Sequence, residues 1–244
     1  MKITVLSMWH NEAFLAPFFL GHYAYADKIH LIIGDDTTDE TLDVCTKYPN
    51  VEIEKFNFPD GLLNDMLKIE KFNTVLPTLD ADWVFALDAD ELIFAPDNGD
   101  IRDFLARQRQ GVSVIYVKMW QAYKNNTEDV LNPSIPALWQ RRHGNPEFHH
   151  IKPVVVRPGC GIKWYAGHHG FEWNARIVPS AESLLGTHWG MADADNTIRR
   201  YIHGRRNRMS KANIERRHGY HTFDLTEEKI RAECEKHLND PKLF

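Results

Sequence analysis

Cysteine is scarce in this 244-residue sequence, and the three present (Cys45, Cys160, Cys234) are far apart and odd in number. That argues against a disulfide framework or a Cys-based zinc site, and a reducing cytoplasm is the expected setting. Long apolar runs are also missing: the longest are about five residues, against the roughly 20 that a membrane span needs. The opening Met1-Lys2-Ile3-Thr4-Val5-Leu6-Ser7 meets Trp9, His10, Asn11 and Glu12 at once, too short and polar for the apolar core of a secretory leader. No G-x-x-x-x-G-K-[ST] or G-x-G-x-x-G occurs, so a phosphate-cradling glycine loop is not expected. No His-Glu-x-x-His occurs either, and the adjacent pairs His149-His150 and His168-His169 cannot form a helical i, i+4 zinc pair.

What is present is an ordinary globular composition, 43% hydrophobic and 26% charged, enough for a sizeable core. The net charge of −5 hides an asymmetry: residues 1–139 sum to −11 and residues 140–244 to +6. An acidic half suits a cation and a basic half suits an anionic ligand, although solvated faces of one fold would give the same balance.

Short β-branched runs at 2–7, 28–34, 51–57, 83–87 and 112–119 alternate with amphipathic stretches at 12–25, 39–48, 63–79 and 101–110. That alternation predicts βαβ units around a mostly parallel sheet. Ligands then bind beyond the carboxyl ends of the strands, which directs attention to 9–12, 35–39 and 88–91, all polar. Further on, 154–158 and 161–165 read as short strands, and 195–208 and 226–238 as helices, the last with Thr226 as N-cap and Glu227-Glu228 in its first turn.

Asp-Ala-Asp occurs at 80–82, 88–90 and 193–195, so the tripeptide alone carries little information. Only the middle copy follows a buried-strand run (Trp83-Val84-Phe85-Ala86-Leu87) and precedes another apolar run (Leu92-Ile93-Phe94). Carboxylates wedged between core segments are costly unless paired or bound to a cation. At a strand end i and i+2 share a side, so Asp88 and Asp90 converge as candidate ligands for Mg²⁺ or Mn²⁺.

Leu87-Asp88-Ala89-Asp90-Glu91 resembles the acidic metal-binding signature of family 2 glycosyltransferases and their relatives, which have the GT-A nucleotide-sugar-binding fold. Three more segments match in order. Met8-Trp9-His10-Asn11-Glu12 resembles the Asn-Glu step near the nucleotide base. Ile32-Ile33-Gly34-Asp35-Asp36-Thr37-Thr38-Asp39-Glu40-Thr41 resembles the second-strand segment whose Asp binds the nucleoside, but is a residue shorter than the usual pattern and lacks that pattern's Gly, which leaves both Asp35 and Asp36 as candidates. Lys71-Phe72-Asn73 resembles the basic-x-Asn step on the helix ahead of the signature. The match covers residues 1–95 well and thins beyond.

The resemblance implies an α/β GT-A (Rossmann-like) fold: a mixed, mostly parallel sheet flanked by helices, with a helical C-terminal tail. Residues 1–190 would be the catalytic domain (1–120 the nucleotide-sugar half, 121–190 the acceptor side) and 191–244 its basic helical extension. The implied activity is transfer of a sugar from a nucleotide-diphosphate sugar to a hydroxyl of a polysaccharide or lipid-linked saccharide. Modified DNA bases are an alternative acceptor, and Mg²⁺-dependent nucleotidyl transfer an alternative reaction.

A downstream histidine supplies a cation ligand in several relatives of this fold; His188 is the first candidate here, then His168 and His169. An inverting transfer needs a carboxylate base. Glu172 lies among aromatic residues that would raise its pKa and stack on a sugar, and Asp193 is the second candidate. Residues 199–217 carry eight basic side chains and one acidic. That stretch, with Arg199 at its head, is a candidate clamp for the diphosphate or for an acceptor bearing phosphate, and Lys152 before Pro153 is a further candidate diphosphate ligand; a DNA backbone or an anionic bilayer would suit the same stretch.

Overall fold

The structure is a computed structural model describing residues 1–147 and 149–244, with only the backbone described at Asn98, His149, Tyr220 and His221. The chain begins β1 (Ile3–Trp9), α1 (Ala16–His22), β2 (Lys28–Gly34), α2 (Thr41–Cys45), β3 (Val51–Phe56), α3 (Asp65–Val75), β4 (Trp83–Leu87). It continues β5 (Glu91–Phe94), α4 (Ile101–Ala106), β6 (Val114–Tyr123), α5 (Ala137–Gln140), β7 (His149–Val156), β8 (Lys163–Trp164), β9 (Phe171–Glu172) and β10 (Leu184–Met191). The tail carries α6 (Ala194–Ile198), a π turn (Arg199–Arg205), α7 (Lys211–Glu215) and α8 (Glu227–Lys236).

Eight strands form one sheet in the order β3-β2-β1-β4-β7-β6-β10-β5, and β8 pairs with β9 separately. The first four are parallel, β6 is parallel to β10, and β7 and β5 run against their neighbours. This is the mixed, mostly parallel sheet with flanking helices and a helical tail that the sequence implied. Alternation along the strands splits the core between two faces. Ile3, Val5, Trp9, Trp83, Phe85 and Leu87 pack with α1, while Leu6, Met8, Val84 and Ala86 pack with Ile69 and Phe72 of α3.

Two features of this order place the site. The chain passes outward through β1, β2 and β3, then returns to β4 on the other side of β1, so the carboxyl ends of β1 and β4 flank a topological switch point, where open α/β sheets bind ligands. Secondly, β4 and β5 are joined by only Asp88, Ala89 and Asp90 although three strands lie between them. A flat sheet would separate them by ~19 Å at ~4.8 Å per strand, whereas that link reaches at most ~14 Å. The sheet must curl to bring its far edge back to β4.

The helices are shorter than their sequence stretches. Residues 12–15 are spent on a turn entered through Asn11 at φ 52°, so α1 starts only at Ala16 with Pro17 in its first turn. The α3 helix starts where Asn64 accepts from the Met66 and Leu67 amides, and a 3-10 turn at Pro77 follows it. The stretch 195–208 is not one helix: α6 gives way to the π turn and then to a 3-10 turn. Thr226 caps α8 as expected, accepting from the Lys229 amide at 3.2 Å. Among the described residues no helix is long and apolar enough to cross a membrane.

Candidate active site

At the switch point lies a cavity of about 380 Å³, within the size range of small-ligand sites. Its floor is made by residues 8–12, at and just beyond the end of β1, and 88–90 after β4. Asp88 accepts from Lys68 Nζ at 2.5 Å, and its own amide donates to Glu91 Oε2 at 3.0 Å. Burial opposes ionisation of Asp88, but Lys68 and then Lys152 outweigh it and hold the carboxyl well below the ordinary range. Asp90, 4% exposed, accepts from Arg200 Nη1 at 2.7 Å. Burial again opposes ionisation, and Arg200 followed by His188 brings the Asp90 carboxyl down to about 2.

His188 approaches the same oxygen of Asp90 with Nε2, at 3.5 Å. Its tautomer is fixed from the other side. Gln121 Nε2 donates to the carbonyls of His188 (2.8 Å) and Ala122 (3.3 Å), so Gln121 Oε1 is the atom 2.8 Å from His188 Nδ1 and must accept from it. Nε2 is therefore the ring atom that His188 turns toward Asp90, and in the neutral imidazole it carries the lone pair that a cation beside Asp90 would accept.

The facing wall comes from the tail. The π turn, a local widening common at functional sites, carries Arg199, Arg200, Tyr201, Gly204 and Arg205 along the cavity, and Arg208 follows. Arg200 spans to Glu12, with Nη2 at 2.9 Å and Nε at 3.3 Å from Oε1. Burial pushes the Glu12 carboxyl up in spite of Arg200, and Glu12 Oε2 is buried without a hydrogen bond. Arg205 pairs with Asp65 at 3.2 Å, and Arg208 with Asp36 at 2.7 Å. Arg206 donates to the carbonyls of Thr222 and Leu225. Four arginines of 199–217 are thus turned toward acceptors within the fold, so the stretch is not a single outward cationic face of the kind expected for DNA or a bilayer.

Several other candidate residues meet at this cavity. Trp9 lines it while its indole nitrogen donates to Ser7 Oγ at 2.7 Å. Asn11 uses Oδ1 to accept from the Thr38 amide at 2.8 Å, clasping the loop after β2 to the loop after β1. Arg199 lines the cavity and lies 3.9 Å from Asp39. Asp36 reaches the cavity residues His10 (3.4 Å) and Arg208, whereas Asp35 accepts from Asn57 at 3.1 Å on the outer side of the loop.

The rest lie elsewhere. Lys71 pairs with Glu54 and lies over the Phe56 ring. Asn73 holds the Trp164 backbone through both amide atoms, at 2.9 and 3.2 Å. Lys152 is buried against Glu91 at 2.5 Å, beneath the floor. Glu172 is exposed on β9 opposite Lys163, beside the stacked Phe171 and Trp173 rings, and does not line the cavity. Asp193 is the N-cap of α6, accepting from the Asn196 amide at 2.9 Å. His168 is 1% exposed, with its ring against Phe72 and Trp164, while the His169 ring lies 5.6 Å from that of His150. Among the described residues no group of three His, Cys, Asp or Glu converges on a metal position.

Sequence reasoning missed Lys68 and Gln121, and reached Arg200, Arg205 and Arg208 only as part of the 199–217 stretch and His10 only as part of 8–12. For Lys68 a signal existed: with Asn64 read as N-cap, Lys68 is the residue one turn in whose side chain reaches Asp88.

No family model and no curated protein matches this sequence. Among solved structures, S. aureus TarS is similar at 14% identity and a TM-score of 0.44, over 78% of this chain and 37% of that one. Its 1–349 fragment aligns over 98% of this chain and 69% of its own length, with 14% identity and a TM-score of 0.43. Mannosyl-3-phosphoglycerate synthase from Rubrobacter xylanophilus gives 16% identity and a TM-score of 0.36, over 66% of this chain and 55% of that one. Glucosyl-3-phosphoglycerate synthase from Mycobacterium tuberculosis, solved with Mn²⁺, uridine diphosphate and phosphoglyceric acid, gives 14% and 0.33, over 49% and 43%. The chain spans little more than a third of the length of TarS. These likenesses are weak, and the chemistry has to be read from the cavity itself.

Proposed function

We propose that this chain is a glycosyltransferase that takes a sugar from a nucleotide-diphosphate donor bound in the switch-point cavity and passes it to a saccharide hydroxyl. The observation that carries this reading is His188 Nε2, aimed by Gln121 at the Asp90 carboxylate 3.5 Å away, in a cavity whose opposite wall is arginine.

A divalent cation fits Asp90 and His188. Two protein ligands are few, which suits Mg²⁺ or Mn²⁺, ions that keep waters and accept phosphate oxygens for their remaining positions. When bound there, the cation supplies charge that offsets what develops on the departing diphosphate. The chain's own residues do the rest. Lys68 and the arginines of the π turn present donors to a diphosphate. Asp36, held between His10 and Arg208, and Asn11, at the mouth of β1, support the nucleoside end. Asp88 stays ionised and orients Lys68.

A thermal-shift panel of nucleoside diphosphates and nucleotide sugars, with and without Mn²⁺, tests the proposal. One nucleotide class should raise the midpoint, more so with Mn²⁺, and Asp90→Ala should remove the Mn²⁺-dependent part. No shift with any nucleotide under any metal condition would overturn it.

A further inference from the structure

The cavity already contains a cation. Arg200, 13% exposed, lies between Glu12 and Asp90, and its contacts are unequal. Two of its nitrogens, Nη2 and Nε, reach a single oxygen of Glu12, whereas Nη1 alone reaches Asp90, at Oδ2. That Asp90 oxygen is also the one His188 Nε2 faces at 3.5 Å. Arg200 and a divalent cation on Asp90 and His188 would therefore compete for the same oxygen.

The geometry makes the exchange easy from one side only. Withdrawing Nη1 from Asp90 leaves two contacts to Glu12 in place, so the guanidinium can pivot without becoming an unpaired buried charge. Withdrawal needs another acceptor for Nη1, and a diphosphate in this cavity offers one, since guanidinium binds phosphate oxygens as readily as carboxylate. Arg200 also sits in the second position of the π turn, between Arg199 and Tyr201, which line the same cavity.

We propose that Arg200 is an electrostatic latch on Asp90. It holds Asp90 in the nucleotide-free protein, moves from Asp90 to the donor diphosphate while pivoting on Glu12, and so makes divalent cation and nucleotide bind cooperatively. The latch rests on the nucleotide-diphosphate reading above, and Arg200 acts in it as a positioning residue. Linkage makes the effect reciprocal: whatever factor the nucleotide adds to cation affinity, the cation adds to nucleotide affinity.

The test is Mn²⁺ binding to the full chain, read from the free-ion electron paramagnetic resonance signal with MnCl₂ alone and then with UDP, GDP, CDP or ADP. Wild type should bind Mn²⁺ weakly alone and tighten by roughly five- to 150-fold, the usual range of such coupling, with one diphosphate. Arg200→Gln should bind Mn²⁺ more tightly than wild type without nucleotide, and the diphosphate should then add little. Glu12→Gln loosens the pivot and leaves Arg200 to Asp90, so it should move nucleotide-free Mn²⁺ affinity the other way. Opposite signs from two partners of one ion pair are not expected of a merely structural contact. Unchanged or weaker Mn²⁺ binding in Arg200→Gln with native near-UV circular dichroism overturns the latch. Should that variant not fold, tighter Mn²⁺ binding in Glu12→Gln overturns it instead. Mn²⁺ binding that survives Asp90→Asn sinks the active-site reading itself, which keeps the two failures apart.

Discussion

His188 and Gln121 are bound twice over: the Gln121 amide nitrogen donates to the His188 carbonyl, and its oxygen accepts from His188 Nδ1. The amide thereby fixes both where the imidazole sits and which nitrogen is free. Partners of this kind typically contribute 10–100-fold to metal affinity. Gln121→Leu should therefore weaken Mn²⁺ binding by roughly that factor and leave the metal-free nucleotide shift in place. Equal Mn²⁺ titrations of variant and wild type would show that the amide does not set the tautomer.

His168 predicts an acid-sensitive fold. Both of its ring nitrogens are buried without a partner. Burial lowers it to about 3, with Asp88 pulling upward and Lys68 and Lys152 pushing further down. The unfolded chain takes up a proton near pH 6.5, which the folded chain refuses until about pH 3. Stability is therefore full above pH 6.5 and falls as the pH drops toward 3, by up to about 5 kcal/mol from this group. Burial acts in the same sense on His22, lowering it to about 4. Urea unfolding of His168→Phe at several pH values should show a shallower acid limb; an unchanged slope would contradict the assignment.

The buried pair Lys152–Glu91 should matter for stability far more than for ligand binding. Lys152 is 5% exposed and Glu91 0%, so removing one partner strands a charge. Lys152→Ala should cost about 3–5 kcal/mol, and Lys152→Met with Glu91→Leu should recover much of it. Denaturant midpoints decide this, and an additive double variant would mean the two do not act as a pair.

Two residues of α3 should behave oppositely. Lys68→Met removes the partner of Asp88 and a cavity cation, and should weaken the nucleotide-dependent thermal shift. Asn73→Ala removes two hydrogen bonds to the Trp164 backbone, and should cost about 1–3 kcal/mol of stability with the nucleotide shift intact. The reverse pattern would restore Asn73 to the ligand site.

How far the sequence could be read follows from what each segment had to encode. The parallel half was legible because β1 and β4, and β2 from Leu31 onward, are buried on both faces and read as largely β-branched and apolar runs. Strands β5 and β10 were not. The first is four residues long and begins at Glu91, inside what reads as an acidic loop. The second contains Gly186 and Gly190, residues that weaken a strand signal. Gly186 is needed there, since a Cβ would lie 3.1 Å from the Leu92 carbonyl oxygen of β5 and 3.2 Å from Val117 of β6. The acidic floor was legible for the same reason as β4, but its cationic partners were not. Lys68 and Lys71 are both basic on one helix, and only the phase set by the Asn64 cap separates them. In the tail, the π turn breaks the 3.6-residue period, so no helical projection could show which arginines face inward.

The short link between β4 and β5 adds a mechanical consequence. Asp88, Ala89 and Asp90 act as a cord tied between two distant strands of a curled sheet, and its length helps set the curvature. A ligand that draws on Asp88 and Asp90 therefore pulls on β5, and through it on the end of α1, where His22 and the following Tyr23 hold the Glu91 and Ile93 backbone through their side chains. One inserted glycine would slacken that cord while leaving every carboxylate present, separating the tension in the floor from its charge.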